Sequence, residues 1–289
     1  MTPNTEIENE GAALRGRALY DLGKTTIFAH AKDPRFSFCA YVPPEIQSRK
    51  DRPELIVMMH GTGRSFVEYR DALTEFGRWN YCIILCPLFP AGVLGDGNRD
   101  GFKYLREGDI RYDQVLLDIV DEVARKYGCN FDRFALAGYS GGGHFVNRFA
   151  LLHPGRLWAA SIGAPGSVTL LDPTRNWWVG VANISNIFGV ALDREALARV
   201  PFQLVVGSLD LETWEITHRE GGRHWMPGAN DAGATRPERA ATLQRSLQKA
   251  GASAQLDVVA GVAHGGLQCL DTVKTFLAKS LAAFRSRSN

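Results

Sequence analysis

The sequence lacks the cysteine pattern of a disulfide framework or of a zinc site. Its 289 residues include five cysteines, an odd number, and no Cys-x-x-Cys pair occurs. Cys82 and Cys86 stand in an apolar run that is typical of a buried strand. His218, Glu220 and His224 lie close together, but on a glycine-interrupted stretch that is too irregular to predict a metal site. We therefore expect a reduced protein without a metal.

Long apolar runs and an excess of charge of one sign are also lacking. No stretch of about 18 apolar residues occurs, so we expect no membrane span. Residues 1–16 are polar and lack the apolar region of a secretory signal peptide, which indicates a flexible lead. With 33 Lys and Arg against 31 Asp and Glu, the net charge is +2, which argues against nucleic acid or a membrane surface as a partner. The composition predicts a soluble cytoplasmic protein with a small-molecule partner and leaves the oligomeric state open.

What the sequence does contain is an alternation of buried strands and amphipathic helices. Mixed apolar patterns over residues 20–42 favour short antiparallel strands. Beyond them, apolar runs without strict alternation are separated by helical patterns, such as the one over residues 237–250. This predicts an α/β protein with a mainly parallel central sheet covered by helices on both faces, in one domain over residues 17–289. Residues 164–200 and 212–235 are long for simple connections and are candidate caps over an active site.

The strongest chemical signal is Gly138-Tyr139-Ser140-Gly141-Gly142, between a buried strand and an apolar-periodic helix. A sharp strand-to-helix turn pushes a serine side chain outward, and the residues two positions to either side must be small. Gly138 and Gly142 meet that requirement. The start of the helix also favours negative charge that develops at the serine. The pattern predicts Ser140 as a nucleophile, the alternative being a glycine-rich turn with an idle serine.

A second glycine-rich turn, His60-Gly61-Thr62-Gly63, follows another buried strand. Acyl transfer needs two backbone N–H donors for the oxyanion, one of them from the residue after the nucleophile, which is Gly141. The second donor would be Thr62 or Gly63, and we predict an oxyanion hole of Thr62 and Gly141. His60 is interpreted as a structural hydrogen-bonding residue under this turn. The alternative is a helix-initiating turn that binds no ligand.

Two more residues stand where a catalytic acid and base are expected. Asp210 follows a buried strand, where a carboxylate can fix the tautomer of a catalytic histidine, with Glu212 and Asp231 as alternatives. His264 lies in a glycine-containing loop after the last strand. Taken alone, the first can be an ordinary turn aspartate and the second a structural histidine. Their order after Ser140, each beyond a strand, predicts a triad of nucleophile, acid and base.

On these motifs the chain resembles the α/β-hydrolase superfamily over nearly its whole length after about Tyr20. The stretches 112–115 and 149–154, which flank the serine motif, resemble the polyhydroxybutyrate-depolymerase-like and feruloyl-esterase-like branch. The resemblance implies ester hydrolysis and the same triad and oxyanion roles. Members of that branch are often secreted proteins with disulfides. This chain has neither feature, which argues against depolymerisation of a polymer.

The sequence thus predicts a serine hydrolase that cleaves a carboxylic ester of a small or medium-sized apolar or aromatic substrate through an acyl-enzyme, with no cofactor. Aromatic side chains often line such pockets. The candidate substrate-binding residues are Tyr139, Phe89, Trp177, Trp178, Trp214 and Trp225. The alternative is that the tryptophans only pack the insertions onto the body. The same triad can also act on an amide, a thioester or a carbon–carbon bond, and a non-catalytic ligand-binding protein on a hydrolase scaffold is the remaining alternative.

Overall fold

The strands of a computed structural model form one large sheet and one small hairpin. The structure describes residue 16 and residues 19–288, so the predicted lead over residues 1–16 lies, apart from Gly16, outside the described residues. The strands are β1 (Gly23–Lys24), β2 (Phe28–Ala29), β3 (Ser37–Val42), β4 (Glu54–Met59), β5 (Cys82–Leu88), β6 (Arg106–Glu107), β7 (Ile110–Arg111), β8 (Phe134–Tyr139), β9 (Leu157–Gly163), β10 (Phe202–Gly207) and β11 (Ala254–Val259). Within the described residues, nine of them make the large sheet, in the order β1-β3-β5-β4-β8-β9-β10-β11 with β2 beside β3, while β6 pairs with β7.

Strand direction divides the sheet into two parts. The six strands from β5 to β11 in this order are mutually parallel, with registers such as Ile56 beside Ala135 and Leu204 beside Leu256. At the other edge β3 runs antiparallel to β5, and β1 and β2 run antiparallel to β3. Both the mainly parallel sheet and the antiparallel start are therefore confirmed. Because the carboxyl ends of parallel strands meet at one edge, the turns after β4, β8, β10 and β11 converge there.

Helices connect the parallel strands and pack against the sheet. They are α1 (Phe66–Asn80), α2 (Tyr112–Tyr127), α3 (Gly141–Leu152), α4 (Ile184–Phe188), α5 (Arg194–Ala198), α6 (Arg236–Lys249) and α7 (Leu270–Ser288), with 3₁₀ turns at Pro44–Gln47, Gly101–Tyr104 and Pro154–Arg156. Helix α1 lies against β5, α3 against β8 and β9, α6 against β10 and β11, and α7 against β9. The inward faces are apolar, as at Leu116, Val120 and Val123 of α2, which are fully buried.

The two candidate caps differ in structure. Residues 164–200 include the short helices α4 and α5, whereas residues 212–235 form a succession of turns. Both follow strands of the parallel part, β9 and β10, and so leave the sheet at its carboxyl edge. No helix in the described part of the chain is long and apolar enough to cross a membrane.

Candidate active site

Ser140 occupies a strained turn between β8 and α3. Its backbone has φ 56° and ψ −118°, a conformation that a non-glycine residue rarely adopts. A Cβ atom on Gly138 would lie 2.7 Å from the carbonyl carbon of Gly142, and one on Gly142 would lie 2.6 Å from the Met59 oxygen. Small residues are required at these two positions because backbone atoms pack directly against them. This close packing brings the strand and the helix near enough to form the turn.

Two backbone N–H groups lie beside this serine. Helix α3 begins at Gly141, so its N–H belongs to the first turn, which has no partner inside the helix. A Cβ atom placed on Gly141 would lie 3.0 Å from the Thr62 nitrogen, so the two predicted donors are neighbours. A Cβ atom on Gly61 would likewise lie 3.6 Å from the Ser140 Cβ. The arrangement matches a site for an oxyanion and favours Thr62 over Gly63 as the second donor.

The turn that carries Thr62 is fixed by two side chains below it. Nδ1 of His60 donates to the Gly61 carbonyl at 2.8 Å, and its Nε2 accepts from the Phe89 N–H at 3.0 Å. Burial lowers the pKa of His60 to about 4, so the ring is neutral and structural, as the sequence predicted. Arg64 donates to the Thr62 carbonyl at 2.6 Å and to the Phe89 carbonyl at 3.1 Å. Sequence reasoning missed Arg64, although its place directly after the glycine-rich turn was visible.

His264 and Asp210 are joined by a hydrogen bond. The His264 Nδ1 donates to Oδ2 of Asp210 at 2.6 Å, which leaves Nε2 free to exchange a proton. The ring of His264 lies 5.3 Å from that of Tyr139, the residue before the nucleophile, so its loop packs against the serine turn. Ser140 and His264 are not hydrogen-bonded to each other in this structure. Such bonds are often long in the absence of substrate.

Asp210 is held on its other side by a buried arginine. Its carboxylate is fully buried, and Nη1 of Arg236 donates to Oδ1 at 3.0 Å, while Nη2 of Arg236 reaches Glu215 at 2.6 Å. Sequence reasoning missed Arg236. Of the alternative acids, Glu212 is exposed and Asp231 pairs with Arg175 at 2.7 Å. The structure thus brings Asp210, and neither alternative, to the histidine.

A cavity of 390 Å³ opens at Ser140, and most of the residues that line it have polar side chains. The lining residues are Thr62, Asp100, Lys103, Tyr104, Ser140, His144, Gly166, Glu215, Ile216, Thr217, His218, Arg219, Gly222, Arg223, His224, Trp225 and Arg236. Burial lowers the pKa of His218 and of His224 to about 4, so both rings are neutral at pH 7. No group of residues that could hold a metal ion occurs in the described part of the chain.

Most of the aromatic residues predicted to bind substrate lie outside the cavity at Ser140. Among them Trp225 alone lines the cavity. Phe89 is fully buried in the core, with its ring edge-on to Phe36 at 5.6 Å, and Trp214 is 72% exposed. Trp177 packs edge-on against Phe188 at 4.7 Å. Phe89 and Trp177 therefore serve packing, whereas Trp214 faces solvent.

The two remaining predicted residues, Trp178 and Tyr139, are buried behind the residues that line the cavity. Trp178 is buried, contacts the Tyr104 ring at 5.6 Å and donates through Nε1 to the His224 carbonyl at 3.0 Å. It therefore holds a cavity wall without lining the cavity. Tyr139 is buried as well, with its hydroxyl 3.8 Å from Sγ of Cys269. Burial raises the pKa of Tyr139 far above its usual value, so the phenol stays protonated.

Buried arginines fasten the candidate caps to the body. Arg148 of α3 is fully buried and donates to the Lys103 carbonyl at 2.6 Å and to the hydroxyls of Thr169 and Ser167 at 3.0 and 2.9 Å. Arg239 of α6 donates to carbonyls at both ends of the second cap. Burial lowers the pKa of each arginine to about 10, which leaves both charged at pH 7.

Comparison with known proteins places the fold. No protein-family model matches the chain, and no curated protein is significantly similar in sequence. The poly(3-hydroxybutyrate) depolymerase from Bordetella parapertussis is similar in structure, with a TM-score of 0.69 and 22% identity over 89% of this chain and 91% of the other. Poly(aspartic acid) hydrolase-1 from Sphingomonas sp. KT-1 gives a TM-score of 0.65 and 21% identity, over 83% and 92%. The chain has the α/β-hydrolase fold.

A more distant similarity extends to an S-formylglutathione hydrolase from Agrobacterium tumefaciens, with a TM-score of 0.56 and 18% identity over 90% of this chain and 98% of the other. At the level of fold, these structures confirm the resemblance on which the sequence prediction rested. They name different substrates, so the substrate of this chain must be argued from its own site.

Proposed function

We propose that the protein is a serine hydrolase that cleaves a carboxylic ester through an acyl-enzyme on Ser140. The observation that carries this proposal is the 2.6 Å hydrogen bond from His264 to the buried Asp210, at the same sheet edge as a serine in a strained turn. The neighbouring N–H groups of Thr62 and Gly141 supply the remaining element that acyl transfer needs.

In the proposed mechanism each group takes part in one step. Ser140 Oγ attacks the carbonyl carbon while Nε2 of His264 takes its proton, and the N–H groups of Thr62 and Gly141 donate to the oxyanion. Asp210 keeps Nδ1 of His264 protonated and stabilises the imidazolium. His264 then gives the proton to the departing alcohol, which leaves the acyl group on Ser140. Water, deprotonated by the same histidine, attacks this ester; the bond to Ser140 Oγ breaks, His264 returns the proton to Oγ, and the acid is released.

The test compares Ser140→Ala with Ser65→Ala. Ser65 precedes α1 and makes no capping hydrogen bond through its side chain, so its loss should leave the site intact. We expect the wild type and Ser65→Ala to hydrolyse 4-nitrophenyl acetate and to be labelled by a fluorophosphonate probe, and Ser140→Ala to do neither. Full hydrolysis by Ser140→Ala, or no labelling of the wild type, would contradict the proposal. Matched amide and thioester substrates assayed beside the ester decide which acyl bond is preferred.

A further inference from the structure

The cavity at Ser140 carries more positive than negative side chains. Four of its lining residues are cationic, namely Lys103, Arg219, Arg223 and Arg236, and two are anionic, namely Asp100 and Glu215. A wholly apolar substrate would bury these charged groups, which costs their hydration. The lining instead calls for a ligand with polar or charged groups of its own.

The two carboxylates of the lining are already neutralised within it. Asp100 accepts from the Lys103 ammonium at 2.7 Å, and Glu215 accepts from Arg236 at 2.6 Å. Burial alone would raise the pKa of Asp100, but the charge and hydrogen bond of Lys103 lower it below its usual value. Both acids are therefore paired with cations of the same wall, which leaves two arginines of the lining without an acidic partner among the lining residues.

Arg219 and Arg223 are those two. Within the described residues, the side chain of Arg219 has no ion pair or hydrogen bond. Arg223 pairs with Asp96 at 3.1 Å, but the side chains are 58% and 37% exposed. An exposed pair of this kind contributes little, so an incoming anion can replace Asp96 at small cost. The Gly222 N–H donates to the Arg219 carbonyl at 3.0 Å, which closes one turn between the two arginines.

This turn is held in place at both ends. On one side Asn230 brackets His218, accepting from its N–H at 3.0 Å and donating to its carbonyl at 2.8 Å. On the other side the ring of His224 stacks on Tyr104 at 4.0 Å. The backbone that carries Arg219 and Arg223 is thus held in place, so only the side chains have to be ordered when they bind an anion.

Unpartnered nitrogens in the same wall support a polar occupant. In the part of the chain that the structure describes, three buried side-chain nitrogens have no hydrogen-bond partner. Two of them, Arg236 Nε and His224 Nε2, belong to residues that line this cavity. Since buried polar atoms are nearly always paired in native proteins, their concentration here points to a hydrogen-bonding ligand or the water it displaces.

We propose that the substrate carries a carboxylate that Arg219 and Arg223 bind while Ser140 attacks its ester bond. The inference rests on the proposed hydrolase function and names its substrate class. A single cavity of 390 Å³ is lined by Ser140 and by both arginines, and this volume lies within the usual range for sites that enclose a small molecule. Guanidinium groups match the geometry of a carboxylate and remain charged at any physiological pH.

The experiment compares esters that differ by one carboxylate. For the acyl side, mono-4-nitrophenyl adipate is set against 4-nitrophenyl hexanoate, and for the alcohol side, 4-acetoxybenzoate against its methyl ester. In at least one pair we expect the wild type to favour the anionic ester in kcat/KM about tenfold, the effect of two exposed charge contacts. The preference should shrink as NaCl is raised, because salt screens exposed charges.

Variants then assign the preference to the turn. Arg219→Gln/Arg223→Gln should reduce the anionic-to-neutral ratio of kcat/KM to about one, and Arg219→Glu/Arg223→Glu should reverse it. Arg199→Gln/Arg245→Gln, which removes two exposed arginines outside the cavity, should leave the ratio as in the wild type. A double glutamine variant that keeps the full preference would refute the role of the two arginines.

The outcomes separate this inference from the function on which it rests. If hydrolysis requires Ser140 but neither pair of esters shows a preference, the enzyme is a serine hydrolase and the anionic substrate is wrong. If Ser140→Ala hydrolyses the esters at the wild-type rate, the proposed function itself fails.

Discussion

Gly141→Ala tests the oxyanion hole by adding a single methyl group beside the nucleophile. The added Cβ would lie 3.0 Å from the ring of Phe102, 3.0 Å from the Thr62 nitrogen and 3.1 Å from Cε of Lys103. All three contacts are closer than carbon normally tolerates. Since the Phe102 ring is buried, we expect the Thr62 turn to yield, which moves its N–H away from the position of the oxyanion.

The expected fall in kcat follows from the displacement of one oxyanion donor, the Thr62 N–H. Loss of one oxyanion donor costs about 10²–10³ in kcat, because the donor is used in the transition state more than in the ground state. We expect such a fall in kcat for 4-nitrophenyl acetate with little change in KM. Ser140 and His264 are untouched, so the variant should still react with a fluorophosphonate, but more slowly.

Gly63→Ala is the matched control. Its added Cβ would meet only Ser65 Oγ, at 3.9 Å, which is an ordinary contact, so kcat should stay within about twofold of the wild type. Equal melting temperatures of the two variants would show that the loss in Gly141→Ala is catalytic and not a failure to fold. Full activity of Gly141→Ala, in a protein that Ser140→Ala inactivates, would refute the placement of the oxyanion hole between Thr62 and Gly141.

Two further substitutions concern stability. Burial alone would raise the pKa of Asp113, but hydrogen bonds from His153 and Arg111 lower it to about 2. A carboxyl whose pKa is lower in the folded protein than in the unfolded chain stabilises the fold at pH values above its pKa in the unfolded chain. Asp113→Asn should therefore lower the free energy of unfolding by about 2 kcal/mol at pH 7, as measured by urea unfolding. The difference in stability between the wild type and the variant should fade between about pH 4 and pH 2. Arg239→Met should lower the unfolding free energy by about 3 kcal/mol, through lost charged hydrogen bonds, while Arg245→Met on the same helix changes it little. A constant Asp113 difference down to pH 2, or equal stability of the two arginine variants, would contradict these assignments.

The longer helices and strands were predictable because their apolar residues recur with a regular period and their ends carry capping or turn residues. The helix predicted over residues 237–250 occupies Arg236–Lys249, begun by a capping box in which the Thr235 side chain accepts from the Glu238 N–H. The two-residue strands β6 and β7 and the turn Gly101–Tyr104 were missed, since so few residues show no periodicity. That turn includes Lys103 and Tyr104, which line the cavity, so a segment without a periodic pattern is also part of the site.

The sequence indicated the reacting groups because they occur in fixed order after strands, next to glycines that the turn requires. The residues that hold them were not indicated in this way. Arg236 lies far from Asp210 in sequence, and only the folding of α6 against β10 brings the two together.

The sequence could not decide where the tryptophans of the two insertions lie, and the reason is physical. A tryptophan in an insertion is equally suited to line a pocket or to seal the insertion onto the body, and its identity alone does not say which. Here Arg148 lies 5.2 Å from the Trp178 ring centre, and Arg239 reaches the Ile216 carbonyl at 2.9 Å. Arg148 thus packs on Trp178 of the first insertion, and Arg239 holds the second insertion, whose Arg219 lines the cavity. In the proposed function, substrate selectivity depends on polar residues of a loop whose sequence shows no periodic pattern, and we expect it to change when Arg148 or Arg239 is substituted.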